Sequence, residues 1–393
     1  MKKADATLDL AKRLISIPSY VGEDCDEQKI GEFIFDYLKQ FKWLKVSKQR
    51  VTKKRFNIIA KDGYPTKILF CGHLDTVQPR AGWTTNPFQP TVKNRKLFGL
   101  GATDMKGNLA ALLSNIPQAA PIKGVGFLFY IDEEYDFLGM KKFIKEYKDK
   151  IRPKLMISAD GGDLSIGYGC KGLIEVSGKV QGISGHAARP WTGNNALSGS
   201  SKAIEKLTEE LKSKFKNTEL GFSTCNLAFM QGGLNLGQDS QGNIRIGKEG
   251  NNIADFAEFV LDIRPTAPEL NAQRVISLLE GYLKNEGLNL RQVTVRHDLG
   301  SWLTEKRSLK PIKNSLKKYL PGGFRDIKSG GYIDIQMLWS CFDKVPCLML
   351  GAGENVMAHK PNEYIEISKL NTLKEAFGQL MEILSKGGEH YGN

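Results

Sequence analysis

At 393 residues the chain is longer than one hydrophobic core usually serves, so two domains are the starting expectation. Its 41% hydrophobic content is ordinary for a globular protein, no apolar run reaches the ~20 residues of a membrane span, and the opening MKKADATLDLAKRL patterns as an amphipathic helix, not a signal-peptide core. The net charge of +13 is diffuse and has no recognition module beside it, which argues against nucleic-acid and membrane partners and leaves a soluble, cytoplasmic protein as the expectation.

In chain order, helical spacing over Leu8 to Ile15 and Asp26 to Leu44 precedes a buried strand from Lys67 to Cys71. A helix at Gly107 to Ile116, a strand at Val125 to Ile131, a helix at Leu138 to Tyr147 and a strand at Leu155 to Ala159 follow. This alternation predicts an α/β domain with a mostly parallel sheet flanked by helices. From about residue 172 the order becomes strand (Leu173 to Val180), helix (Leu197 to Phe215), two strands (Cys225 to Met230, Phe256 to Ile263), helix (Ala272 to Asn285) and strand (Gln292 to His297), that of a ferredoxin-like α+β unit. The α/β character resumes with Ile312 to Lys318, Val345 to Leu350 and a closing helix from Leu370 to Leu384. A catalytic domain of residues 1–171 and 291–393, interrupted by a lid and dimerisation domain of residues 172–290, is therefore expected. Six cysteines (Cys25, Cys71, Cys170, Cys225, Cys341, Cys347) lack paired metal-finger spacing and read as reduced thiols.

Ligands of open α/β sheets collect beyond the carboxyl ends of the strands, and these ends carry polar groups. The first buried strand runs into Cys71-Gly72-His73-Leu74-Asp75, the second into Asp132-Glu133-Glu134, the third into Asp160, and the last opens a loop reaching His359; Asp104 stands before the helix at Gly107. Singly, each has a structural explanation: Asp104 suits a helix N-cap, His73 a core histidine, Glu133 and Glu134 a solvated pair. Together they make an acidic cluster that is costly to bury without cations, and two histidines with three carboxylates are ligands zinc accepts.

The segments GHLDTV, GLGATDMKGNLAALL, DEEYDFLGM and AHKPNEYI resemble, in order and spacing, the blocks of the di-zinc exopeptidase and deacylase family that includes carboxypeptidase G, aminoacylase, acetylornithine deacetylase, succinyl-diaminopimelate desuccinylase and related dipeptidases. The resemblance covers nearly the whole chain. It implies two Zn²⁺, with Co²⁺ or Mn²⁺ as possible substitutes: His73 and Asp160 on one, Glu134 and His359 on the other, and Asp104 bridging. It implies Glu133 as general base, Asp75 as the carboxylate that accepts the second N–H of His73, and a cis peptide between Asp104 and Met105. His186 is similar to the family's lid-domain histidine, which stabilises the oxyanion and in dimers serves the neighbouring subunit, so a homodimer through the inserted domain is implied. Arg264 and Asn251 resemble the substrate-binding residues, with Asn252 an open alternative because Ala254 stands in place of the motif's usual Pro. Gly330 and Gly331 resemble a loop whose backbone approaches the substrate. The chain departs from many members at Ala159-Asp160-Gly161-Gly162, where those members carry Glu before Pro-Thr; Asp163 is the fallback ligand. The expected activity is two-metal hydrolysis of the amide bond in small peptides or N-acyl amino acids bearing a free carboxylate. A specific deacylase of the acetylornithine or succinyl-diaminopimelate type is one alternative, and a non-catalytic binding protein on the same scaffold another.

Overall fold

In the computed structural model, which describes residues 6–387, the apolar runs form a seven-stranded sheet. Its order is Lys45–Arg50, Phe56–Lys61, Val125–Tyr130, Ile68–His73, Leu155–Ser158, Cys347–Gly351, Ser165–Gly167. The central four strands are parallel, and antiparallel strands close both sides. Every position of Ile68–His73 and Val125–Tyr130 is buried, which is why these strands read as unbroken apolar runs without alternation. Phe70 and Phe127 stack at 5.5 Å across adjacent strands, each burial stabilising by roughly 1.5–3 kcal/mol. The helix Lys106–Leu113 is buried at all eight positions, and Ala6–Ile15 and Ile367–Gly387 pack on it. No helix among the described residues is long and apolar enough to cross a membrane.

Three expectations about elements change. The helix expected to run to Leu44 ends at Lys39, and Lys45–Arg50 is instead an edge strand with most of its lysine and arginine positions facing solvent, a pattern that discourages edge-to-edge pairing. The Ile312 to Lys318 segment, expected without an element type, overlaps a helix, Lys306–Ser315, that begins six residues earlier and carries Pro311 within it. A short helix, Ile335–Cys341, was not legible at all.

The described residues form two compact units, one of residues 6–168, 303–326 and 333–387, the other of 169–302 and 327–332. The outermost residues of the expected catalytic domain, 1–5 and 388–393, lie outside the described part. In the second unit the antiparallel order is Thr224–Gln238, Phe256–Arg264, Leu173–Gln181, Asn289–Leu299, with Ile244–Gly247 added at the edge. Helices Ala196–Lys214 and Ala272–Asn285 contribute Leu207, Leu211, Leu279 and Leu283 to a core shared with Ile174, Val176, Phe259 and Leu261. Both helices begin at an Asn whose side chain accepts a backbone N–H, Asn195 from Ser198 and Asn271 from Arg274. The expected boundary at 290 falls inside Asn289–Leu299, which pairs along its length with Leu173–Gln181, so the break moves to residue 302. Gly330 and Gly331, expected in the larger domain, fall in the second unit.

Candidate metal centre

The four parallel strands deliver their carboxyl ends to one side of the sheet. His73 is the last residue of its strand, Glu133 and Glu134 lie in the turn after Val125–Tyr130, Asp160 follows Leu155–Ser158, and His359 stands in the loop after Cys347–Gly351. Asp104 caps nothing: Met105 occupies the N-cap position of the next helix, and the Asp104–Met105 peptide is cis. His73 Nε2 lies 3.1 Å from Asp104 Oδ1, while His359 Nε2 lies 3.3 Å from Asp104 Oδ2 and 3.1 Å from Glu134 Oε2. Two of the resulting sets, His73 with Asp104 and Asp160, and Asp104 with Glu134 and His359, can each present ligand atoms within 4.8 Å of one another. They share Asp104, one oxygen toward each histidine. A third such set, His73 with Glu133 and Glu134, overlaps both.

Each ligand-bearing segment is braced by the fold. Asp75 Oδ1 accepts Glu133 N at 3.1 Å and Oδ2 accepts Glu134 N at 2.9 Å. Asp75 also stands beside His73, whose Nδ1 lies 3.1 Å from the Asp75 carbonyl oxygen and 3.5 Å from its carboxylate, so the same side chain that holds the two backbone amides faces the imidazole's second nitrogen. The same turn starts at Asp132, whose positive φ of 72° is held by Oδ2 accepting Asp136 N and Leu138 N, both at 3.2 Å. Arg55 donates to Asp132 and twice to Glu27, each at 2.6 Å, and Glu27 accepts Asp132 N at 3.1 Å. The Asp160 segment is tied down by Asp160 N donating to Ser158 Oγ at 3.1 Å and by Asn108, which donates to Gly161 O and accepts Ala352 N, both at 3.0 Å. Glycine is required at 161, since a Cβ there would lie 2.6 Å from the Leu350 carbonyl carbon. Asp163, the fallback ligand, is exposed, accepts a hydrogen bond from Asn355, and joins none of the three sets.

Crowding of carboxylates dominates the electrostatics. Burial and then the nearby Asp334 push Glu133 well above the usual carboxylate range; burial and then Asp104 raise Asp160 to about 7 and also raise Glu134. For Asp104 burial pulls upward, but hydrogen bonds to His359 and His73 outweigh it and hold the group low. Hydrogen bonds to Asp104 and Glu134 raise His359 to about 10; for His73, burial opposes the bonds to its acids, which win. Among the described residues none donates a hydrogen bond to the carboxylates of Glu133 or Asp160. Two imidazoles and a set of acids short of donors fit a pair of divalent cations.

The second unit gathers part of the remaining set. Ala187 N, next to His186, donates to Asn251 O at 2.9 Å, and His186 bridges Asn252. The exposed His186 accepts Ala188 N at Nδ1, 3.1 Å, and Asn252 donates to Asn251 Oδ1 at 2.8 Å. Arg264 closes the far end of Phe256–Arg264 and donates to Asp262 twice, at 2.7 and 2.9 Å, so an ion pair within the unit is what surrounds it. No packing demands glycine at 331, where a Cβ would meet nothing within 4 Å, and at 330 the nearest atom is Ile327 O at 3.5 Å. Sequence reasoning missed Glu27, Arg55, Asn108, Asp334 and Glu363. Glu363 and Asn108 carried a signal, lying inside the quoted AHKPNEYI and GLGATDMKGNLAALL segments; Asp334 ended the glycine-rich stretch without being singled out.

The model of "Peptidase family M20/M25/M40" matches residues 69–383. Acetylornithine deacetylase of Buchnera aphidicola subsp. Schizaphis graminum is 27% identical over 405 residues, covering 97% of this chain and 99% of that protein. Among solved structures, an M20 family metallo-carboxypeptidase from Sulfolobus solfataricus superposes with a TM-score of 0.74 at 18% identity, over 97% of this chain and all of that one. A dinuclear metal binding peptidase of the same family from Bacillus subtilis gives 0.66 at 15%, over 97% and 98%.

Proposed function

The chain belongs to peptidase family M20/M25/M40, a family of metal-dependent hydrolases, and we propose that it cleaves the amide bond of small peptides or N-acyl amino acids bearing a free carboxylate. The observation that carries the proposal is Asp104, whose two oxygens face two histidines and complete two ligand sets at once. His73, Asp104 and Asp160 would hold one zinc ion and Asp104, Glu134 and His359 the other, with cobalt or manganese as substitutes. Bound there, the cations supply Lewis acidity and lower the pKa of water.

Glu133 is the general base. Its carboxylate has no donor among the described residues, and its backbone is fixed by Asp75, so it is free to take a proton from the attacking water and deliver it to the departing amine nitrogen. Asp75 positions both glutamates. Arg264, aligned by Asp262, binds the substrate carboxylate, while His186 supports the developing oxyanion and Asn251 and the backbone of Gly330 and Gly331 contact the substrate. The proposal includes a cytoplasmic homodimer through the second unit. Supporting it, Asn251 precedes Phe256–Arg264 and Arg264 ends that strand, about 26 Å of strand apart, whereas an extended dipeptide spans about 7 Å. One lid cannot bring both ends to one small substrate, so His186 and Asn251 serve the partner's site.

A specific deacylase is the second reading, favoured by the end-to-end match to acetylornithine deacetylase. A panel of dipeptides and of N-acetyl and N-succinyl amino acids, run with added zinc or cobalt, separates the two by which class turns over. Turnover of none, with two equivalents of metal bound, would overturn both in favour of a binding protein.

A further inference from the structure

Glu363 is 1% exposed and has no part in the chemistry assigned above; its carboxylate is enclosed by backbone amides, that of Asp104 among them. Gly101 N donates to Oε2 at 3.0 Å, and Thr103 N and Asp104 N donate to Oε1 at 2.7 and 3.0 Å. The Glu363 carbonyl accepts Gly99 N at 3.0 Å, and Thr103 Oγ1 donates to the Tyr364 carbonyl at 2.6 Å, so residues 99–104 are fastened to 363–364 along their length. The fastened loop ends in Asp104, and Glu363 closes the loop that supplies His359. Lys106, itself 1% exposed, donates to Ile17 O at 2.7 Å and lays its stem against Gly101; burial pulls Lys106 down to about 7 and pushes Glu363 up to about 8, with the backbone amides opposing the rise of Glu363. At Gly101 the φ of +84° already favours glycine, and a Cβ would sit 2.9 Å from Lys106 Cδ.

We propose that Glu363 is a positioning residue that joins the Asp104 loop to the His359 loop and thereby sets the affinity of the Asp104, Glu134 and His359 cation site. The inference rests on the two-cation reading above. Two of that site's three ligands hang on segments bound by Glu363, whereas the His73, Asp104 and Asp160 site depends on it through Asp104 alone. A carboxylate can accept from all three amides; a carboxamide cannot, because its NH2 must face at least one of them.

The test is titration of chelator-stripped full-length protein with Co²⁺, followed by visible absorption and calorimetry, for wild type, Glu363→Gln, Glu363→Asp and Thr103→Val. Wild type is expected to take up two equivalents. Both Glu363 variants should weaken one of the two equivalents by about 10- to 100-fold and leave the other within about threefold, the range usual for groups that orient metal ligands. Thr103→Val loses the hydroxyl bond to Tyr364 O but keeps every amide on Glu363, so it should melt lower with both affinities unchanged. Equal weakening of both equivalents in the Glu363 variants, no weakening of either, or the same loss in Thr103→Val would overturn the positioning role while leaving the two-cation reading intact. A wild-type protein that binds fewer than two equivalents would overturn that reading and the inference with it.

Discussion

Asp75→Asn changes one oxygen to NH2 at almost constant volume in a side chain that is 1% exposed, so its effect falls on the two amide hydrogen bonds and on the contact with His73. Both carboxylate oxygens are occupied, one by Glu133 N at 3.1 Å and the other by Glu134 N at 2.9 Å. Whichever way the amide turns, one backbone N–H faces another donor. The loss is one charge-assisted hydrogen bond, about 1.5–3 kcal/mol, together with an unsatisfied buried donor, about 1–3 kcal/mol. A total of about 2.5–6 kcal/mol is a large part of the roughly 5–15 kcal/mol by which domains are stable. The turn cannot relax away from the clash, because Arg55, Glu27 and Asp132 hold its other end. Urea unfolding of chelator-treated protein, followed by circular dichroism, should show that drop with an unchanged slope, and amide exchange at Glu133 and Glu134 should accelerate. A change under about 1 kcal/mol would refute the assignment of Asp75 as the brace of the glutamate turn.

Glu133→Gln should lower kcat by about 10²- to 10⁴-fold while both metal equivalents remain, as read by metal analysis beside initial rates; turnover within tenfold of wild type would remove Glu133 as the base. Gly161→Ala would place a Cβ 2.6 Å from the Leu350 carbonyl carbon and 2.7 Å from Gly351 N, both backbone atoms, and should destabilise by about 1–3 kcal/mol in thermal melts. Arg55→Met leaves Glu27 and Asp132 buried without their cation and should cost about 3–5 kcal/mol in urea unfolding; a neutral outcome would mean the triad does not hold the turn.

The strands and helices that were legible are those whose burial is uniform or strictly periodic. Val125–Tyr130 and Leu155–Ser158 have no solvent side, and Leu138–Tyr147 and Ala272–Asn285 are amphipathic, so hydrophobic pattern alone locates them to within a residue or two. Lys45–Arg50 failed because an exposed edge strand rich in lysine has the composition of a solvated helix end. The boundary at 290 differs because it cuts off the Gln292 to His297 strand that the α+β order itself requires, and which pairs with Leu173–Gln181. Four of the ligand candidates were visible because they lie in segments that follow buried strands, and Asp104 because it stands just before a helix in the quoted GLGATDMKGNLAALL segment. Glu27 and Arg55 were not, since a salt bridge joining a helix start to a strand entry leaves no periodic trace.

The harder question is why some acids at these strand ends face the centre while others do not, for the two kinds are identical in composition. The structure separates them by what their oxygens already hold. Asp75 carries two backbone amides, Asp132 two amides and Arg55, Glu363 three amides; each is committed to a loop and has little capacity left. Asp104 and Glu134 hold imidazoles, and Glu133 and Asp160 receive no donor among the described residues. Leaving Glu133 and Asp160 half-buried without donors, next to two further acids that hold only imidazoles, runs against the rule that buried polar groups are paired. The committed acids make that arrangement possible, because they fix the turns so firmly that the unpaired ones cannot swing out to water. A cleft so arranged suits positive charge from outside the polypeptide, and what each oxygen already holds, which depends on the fold, separates the acids that face the centre from those that brace its loops where residue type cannot.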